Sequence, residues 1–541
     1  MKKLLSLLLS LTLLISLAGT ASAEDRLIEL NVGIQQDAGS LDPYGSNNVG
    51  RTVILATAYE RLFYPTEFGG PSVPWLASGY EYLDEQTIRI TIYPDIYDAA
   101  GNHFTTSDIV FCYDNAKALG YSECWTYLDH IEIVDDYTCD FFVTASNISV
   151  WDSTFHKGVM YTKAAWEAST DAFAFTPVTT ARYKMTDYVA GAYYTFEKRA
   201  DYWGADLPAE KVHPYAASGA DRITYKVIGD NAQMAIALET GEIDLANYIS
   251  SAEMPNFYDP ETGTPVKGYY VEPMLTHSTY CLQFNASANS VCANPLIRKA
   301  VSYCVDNDMV LEIALKGLGQ SCVTFGAYKV SSGPDWDQVL ENARKEDSLY
   351  NGSNLELARK CLQEAGYPDG LKLVCMTDNT TVMVKMAETV QLLCKQVGID
   401  IEIKSYDSSL FGTYRSTPDT GWDFLCCSWG NAAGQIAIMY NLVYSPTSYG
   451  ELGTRNFITA EDDPKLQELR EACLKASATT EDIMAFDAYA HQEMCYNYGI
   501  FNMMTFFAAQ DGINGIYYTS NVIANGVTFT EDYVCHSPSK K

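Results

Sequence analysis

Apolar and polar residues alternate from residue 28, with Ile28, Leu30, Val32 and Ile34 on one face. A period of two predicts a strand with one buried side. Ile88, Ile90 and Ile92 repeat the pattern, as do Tyr137, Cys139, Phe141 and Val143, and Asp135-Asp136 reads as a hairpin turn after the apolar stretch Ile131–Val134. Helices are fewer in this half. One is predicted after Thr105, where Asp108 completes a capping box and Ile109, Tyr113 and Ala116 fall on one side.

From about residue 290 the period changes. Asn294 caps a helix opening with Pro295, and Ile297, Val301, Cys304 and Val305 form its apolar stripe until Asp306 starts another turn. Leu355, Ala358, Leu362 and Ala365 mark a second helix, closed by Gly366 and Pro368. The alternation of Leu371, Leu373 and Cys375, a helix ending at Gly398, and the alternation of Ile399, Ile401 and Ile403 make a β-α-β unit, hence an α/β lobe. No internal repeat, low-complexity tract or long Pro/Ser-rich linker interrupts the chain.

The extreme N-terminus has its own pattern. Lys2 and Lys3 precede a Leu-rich run from Leu4 to Leu17, and Ala21-Ser22-Ala23 supplies a small-x-small cleavage site. The run is about 14 residues, short of the roughly 18 to 20 that cross a bilayer, so a secretory leader over residues 1–23 and a mature start at Glu24 are expected. Leu17-Ala18-Gly19 resembles the start of a lipoprotein box, but Thr20 offers no thiol to a lipid. The expected location is the periplasm or the outer face of the cytoplasmic membrane, without lipidation.

The 518 residues from Glu24 onward exceed a single core and predict two or three domains. A content of 47% hydrophobic, 13% aromatic and 19% charged residues excludes a largely disordered chain. The formal charge is −32, or −34 once Lys2 and Lys3 leave with the leader, which argues against nucleic acid and anionic membranes as partners. Fifteen cysteines are an odd number without framework spacing or a C-x-x-C pair. Cys361, Cys375 and Cys394 stand at apolar positions of helix and strand patterns, so most thiols are expected to be reduced core residues. Cys426 and Cys427 should face opposite sides of one strand and not bond each other.

Chemistry-bearing patterns are scarce. The histidines at 103, 130, 156, 213, 277, 491 and 536 stand singly, and no H-E-x-x-H, G-x-S-x-G, P-loop or post-strand G-x-G-x-x-G occurs. No metal site and no cofactor are expected. With 68 acidic residues an acid/base pair for glycoside hydrolysis stays open, but nothing marks one. The 39 tyrosines suit a ligand with both apolar and polar character, and Trp429, in Ser428-Trp429-Gly430-Asn431 after the apolar strand Phe424–Cys427, sits where open α/β sheets bind ligands.

Motifs in shared order carry a resemblance over essentially the whole mature chain. They are Ser40-Leu41-Asp42-Pro43 with Ala58-Tyr59-Glu60-Arg61-Leu62, Val73-Pro74-Trp75-Leu76-Ala77, Phe104-Thr105-Thr106-Ser107-Asp108, Arg199-Ala200-Asp201-Tyr202-Trp203-Gly204, Ala237-Leu238-Glu239-Thr240-Gly241-Glu242-Ile243-Asp244, Phe284-Asn285, Ile297-Arg298-Lys299-Ala300 and Glu364-Ala365-Gly366-Tyr367-Pro368-Asp369-Gly370. In these the chain resembles the extracytoplasmic solute-binding proteins of family 5, the oligopeptide, dipeptide and nickel importer group. The resemblance implies an α/β, two-lobed periplasmic-binding-protein-like fold of type II, in the large variant with an extra subdomain. Lobe I would span residues 24–278, with the subdomain over about 62–178, lobe II 279–505, and residues 506–541 would return to lobe I. It also implies a monomer that closes about a hinge on a peptide or other oligomeric solute and docks on ABC permease subunits, without enzymatic activity.

The site implied by strand ends and family position comprises Trp429, Gly430, Asn431 and Ala432 from lobe II, Asn47 and Asn48 from lobe I, and His277 and Tyr280 near the first crossover. Peptide binders of this group commonly place Asp three residues after the Trp, for the ligand's ammonium; here that position is Ala432, and Asn431 brings no charge. An oligosaccharide or other neutral solute is the alternative ligand, and an exported enzyme or sensor no longer coupled to transport is the third reading.

Overall fold

The N-terminal alternation forms β1 (Glu29–Ile34), in which Leu30, Val32 and Ile34 are fully buried. The structure is a computed structural model that describes residues 27–45, 49–66, 72–145, 150–216, 219–259, 262–322, 324–325, 348–430, 436–475, 477–518, 522–530 and 533. The leader, Cys535 and four of the expected site residues lie outside these.

After β1 the chain builds β2 (Ala77–Tyr82), β3 (Thr87–Ile92), α1 (Thr106–Ala118), β4 (Leu128–Asp135) and β5 (Thr138–Val143). The strands form a separate antiparallel sheet in the order β2-β3-β5-β4. The Thr105 backbone N–H donates to Asp108 Oδ2 at 2.8 Å, closing the expected capping box, and Ile109, Tyr113 and Ala116 are buried. The chain then adds β6 (Tyr183–Val189), β7 (Tyr193–Lys198), β8 (Arg222–Val227), α2 (Asn231–Glu239) and β9 (Leu245–Ile249), which join β1 in the main sheet.

Next come β10 (Tyr269–Phe284), α3 (Pro295–Cys304), α4 (Asn307–Leu315), β11 (Gly319–Ser321), α5 (Leu355–Glu364), β12 (Leu371–Asp378), α6 (Thr381–Cys394), β13 (Ile399–Tyr406), α7 (Ser408–Arg415), β14 (Phe424–Gly430), α8 (Ile436–Tyr444), α9 (Pro464–Cys473), α10 (Thr480–Asp487) and β15 (Asn497–Gln510). The local signals act where expected. Asn294 Oδ1 accepts from the Leu296 N–H at 3.0 Å, and Gly366 and Gly398 take φ of 88° and 87°, the left-handed turn that ends a helix. Strands β12 and β13 pair in parallel from Leu371 opposite Ile399, with α6 as the crossover.

The main sheet has eleven strands, ordered β6-β7-β8-β1-β9-β15-β10-β14-β12-β13, with β11 beside β15. Strands β10 and β15 run from one lobe into the other. Residues Tyr269–Leu275 pair with 510–504 and residues 279–283 with 502–497, and the register shifts between Leu275 and Thr279. Asn502, almost wholly buried, holds this break by donating Nδ2 to the Thr276 carbonyl at 3.4 Å and to Thr279 Oγ1 at 3.3 Å. A break filled by one amide is a place where paired strands can bend while both ladders stay intact.

All fourteen described cysteines are buried and none is in a disulfide. Cys426 packs with Cys375, Sγ to Sγ 3.6 Å, and Cys427 with Cys281 at 3.8 Å, on the two faces of β14. Among the described residues no helix is long and apolar enough to cross a membrane.

Candidate functional site

Strand β14 ends at the lobe junction, where Trp429 lies opposite Thr279 and Gly430 opposite Ser278. Alternation along the strand sends Trp429 to the face that carries Cys427 and Leu425, and its ring is 6% exposed. Its Nε1–H donates to Gln283 Oε1 at 2.7 Å, and Gln283 Nε2 donates to the Arg455 carbonyl at 2.6 Å. This fixes the indole and the loop carrying Arg455 relative to β10.

Two cations meet that indole. The guanidinium carbons of Arg415, the last residue of α7, and of Arg455 lie 4.8 and 5.1 Å from its ring centre, and Arg455 is also 4.4 Å from the Tyr449 ring. Among the described residues neither guanidinium has an ion-pair or hydrogen-bond partner, and Arg455 Nε is buried without one. Cation–π attraction offsets part of the desolvation, but the buried Arg455 Nε still lacks an acceptor among the described residues. In a chain with 68 acidic and 36 basic residues, two partly exposed arginines with no carboxylate partner among the described residues form an electropositive spot that an anion would complete.

The expected site residues separate. Tyr280 lies opposite Ser428 and so faces the other side of the sheet from Trp429. Its ring stacks on Phe501, centroids 4.9 Å apart, and burial raises its pKa, with Asp378 and Tyr248 adding to the rise. Position 277 falls in the register break of β10. Asn47, Asn48, Asn431 and Ala432 lie outside the described residues. Arg415, Arg455 and Tyr449 were not singled out in the sequence, because a helix end and an irregular loop carry no periodic signal, nor was Gln283, a polar residue within a buried strand.

The arrangement nearest to catalytic chemistry lies elsewhere. His491 Nδ1 is 2.7 Å from Asp487 Oδ1 and Nε2 is 2.9 Å from the Tyr444 hydroxyl, which also accepts from Asn497 Nδ2 at 2.6 Å. All four residues are buried, and the network ties α8, α10 and β15 together in the lobe II core.

A two-lobed α/β chain, with paired strands passing between the lobes and an aromatic–cationic site at a strand end beside that passage, has the architecture of an extracytoplasmic receptor for solutes. The chain belongs to the bacterial extracellular solute-binding proteins, family 5, whose sequence profile for the middle region matches residues 72–451. It is 22% identical over 421 residues to the glutathione-binding protein GsiB of Pectobacterium atrosepticum, covering 76% of each chain. The dipeptide-binding protein of Pseudoalteromonas sp. SM9913, solved with Met-Leu, superposes with a TM-score of 0.67 at 17% identity, over 93% of this chain and 100% of that one. HbpA2 from Haemophilus parasuis gives a TM-score of 0.74 at 15% identity, over 93% and 100%.

Proposed function

We propose that the protein captures a peptide-like solute bearing an anionic group between its two lobes and hands it, unaltered, to an ABC permease. The guanidiniums of Arg415 and Arg455 at Trp429, without an ion-pair or hydrogen-bond partner among the described residues, carry this reading. Ala432, in place of an ammonium-binding Asp, fits the same polarity. Trp429, Gly430, Asn431 and Ala432 would line the lobe II wall, Asn47 and Asn48 the lobe I wall, and His277 the hinge side, while Tyr280, stacked on Phe501 on the opposite face of the sheet, would stay outside the cleft. A lobe limit at 278/279 is supported by the register break, which on β15 falls between 502 and 504, just before the limit placed at 505/506, and an extra subdomain over about 62–178 by the separate four-stranded sheet. Export follows from the leader, and Thr20 argues against a lipid anchor.

The test is thermal unfolding and calorimetry of residues 24–541 against glutathione, short peptides with and without acidic side chains, and neutral oligosaccharides, at low and high salt. A ligand at about 100 times its Kd adds about 2.7 kcal/mol of stability. The expected result is binding of acidic peptides or glutathione that weakens with salt and falls at least about tenfold in Arg415→Gln and Arg455→Gln. Binding only of neutral peptides or sugars, indifferent to salt and to both substitutions, would overturn the reading.

A further inference from the structure

A side-chain hydrogen bond joins the lobes away from β10 and β15. Asn441, in the second turn of α8, donates Nδ2 to the hydroxyl of Tyr127, which precedes β4 in the four-stranded sheet of lobe I. The amide is not free to turn. Arg470 Nη1 on α9 donates to Asn441 Oδ1 at 2.6 Å, and a guanidinium has only donors, so Asn441 must offer it the oxygen and present the NH2 to lobe I. Arg470 is itself oriented, with Nε donating to Gln467 Oε1 at 2.9 Å, and Gln467 Nε2 donating to the Tyr444 carbonyl at 3.2 Å. Both are almost wholly buried. A buried relay in lobe II thus aims one amide at a single hydroxyl of the other lobe.

The position of the contact indicates its use. Helix α8 packs Ile436, Ala437, Met439 and Tyr440 in the same apolar cluster as Trp429, so Asn441 lies on the side of lobe II where Trp429 meets the lobe junction. Bending at the Leu275–Thr279 break, with the lobes moving apart on that side, would separate Tyr127 from Asn441. We propose that Tyr127 and Asn441 form a latch across the mouth of the cleft, which biases the ligand-free receptor toward the arrangement with the lobes together. This rests on the two-lobed receptor reading, but not on the ligand's charge. A net hydrogen bond shifts such an equilibrium by about 2- to 10-fold.

Small-angle X-ray scattering of the ligand-free mature protein tests it, with five proteins compared: wild type, Tyr127→Phe, Asn441→Leu, the double variant of these two, and Asn441→Asp. Tyr127→Phe keeps the ring and its packing, so a folding defect is not expected. The proposal expects Tyr127→Phe and Asn441→Leu to move the ratio of compact to extended particles about 2- to 10-fold toward the extended form, and the double variant to go no further. Asn441→Asp should stay with the wild type, because its carboxylate accepts from both Arg470 and the Tyr127 O–H. A Tyr127→Phe curve superimposable on the wild type, or a shift in Asn441→Leu alone, would sink the latch. Since no solute is present, failure of the anion reading leaves this result standing, and the reverse.

Discussion

Trp429 donates its indole N–H to Gln283 at 2.7 Å, so the candidate ligand wall on β14 is held by a fully buried amide on the crossing strand β10. Gln283→Leu keeps the volume but leaves two polar groups unpaired, the indole N–H and the Arg455 carbonyl. A loss of at least about 1–3 kcal/mol in urea unfolding is expected, with a change in the near-ultraviolet circular dichroism of tryptophan. An unchanged unfolding free energy would mean that water replaces the amide.

Glu60 is fully buried, and its carboxylate accepts from Trp75 Nε1 at 3.0 Å, the Tyr202 hydroxyl at 2.7 Å and Trp203 Nε1 at 3.0 Å. Three donors converge on two oxygens, an arrangement only a carboxylate satisfies. In Glu60→Gln the amide NH2 must face an N–H or O–H donor. The expected cost is about 1–3 kcal/mol of stability by denaturant titration, although the two side chains are nearly isosteric.

His213 stacks on Trp75, ring centres 4.5 Å apart, with Nε2 3.2 Å from the Tyr64 carbonyl and Nδ1 accepting from the Tyr215 N–H at 3.3 Å. A proton on Nδ1 would face that N–H, and burial lowers the pKa to about 3. The unfolded chain takes up a proton near pH 6.5 and the folded one does not, so stability falls as pH drops from about 6.5 toward 3. Between pH 7 and pH 5 this amounts to about 2 kcal/mol. His213→Gln should lose that part of the slope in unfolding measurements at the two pH values, and an equal slope in both proteins would contradict the assignment.

Burial pushes the Cys124, Cys139 and Cys473 thiols up to about 12 and that of Cys495 to about 11. Only the thiolate reacts readily. With an aromatic disulfide reagent at pH 8 the fourteen described cysteines should react slowly in the native protein and promptly after unfolding. A reductant should leave Tm unchanged, whereas a drop in Tm would reveal a disulfide.

Much of the fold was legible because its signals are local. Thr105 with Asp108, Asn294 with Pro295, and Gly366 and Gly398 act within a few residues of their own backbone, and each ends or begins a helix in the structure. The alternation of Leu371–Cys375 and Ile399–Ile403 likewise became β12 and β13. The family resemblance implied two crossover segments, but not that they are the paired strands β10 and β15. Each serves two lobes and breaks register where it passes between them, so no single period runs its length.

The sequence by itself determined that the chain is acidic and α/β, with cysteines that pack as small apolar residues, because charge and hydrophobic period are written along neighbouring positions; the leader set the expectation of export, and the family resemblance that of two lobes. Only the tertiary structure decided that Trp429 and Tyr280 face opposite sides of one sheet, that Arg415 and Arg455 converge on a single indole, and that Asn441 reaches Tyr127. Those relationships depend on strand register and on contacts between residues far apart in the chain, and a shift of one residue in the β10–β14 pairing would exchange the faces.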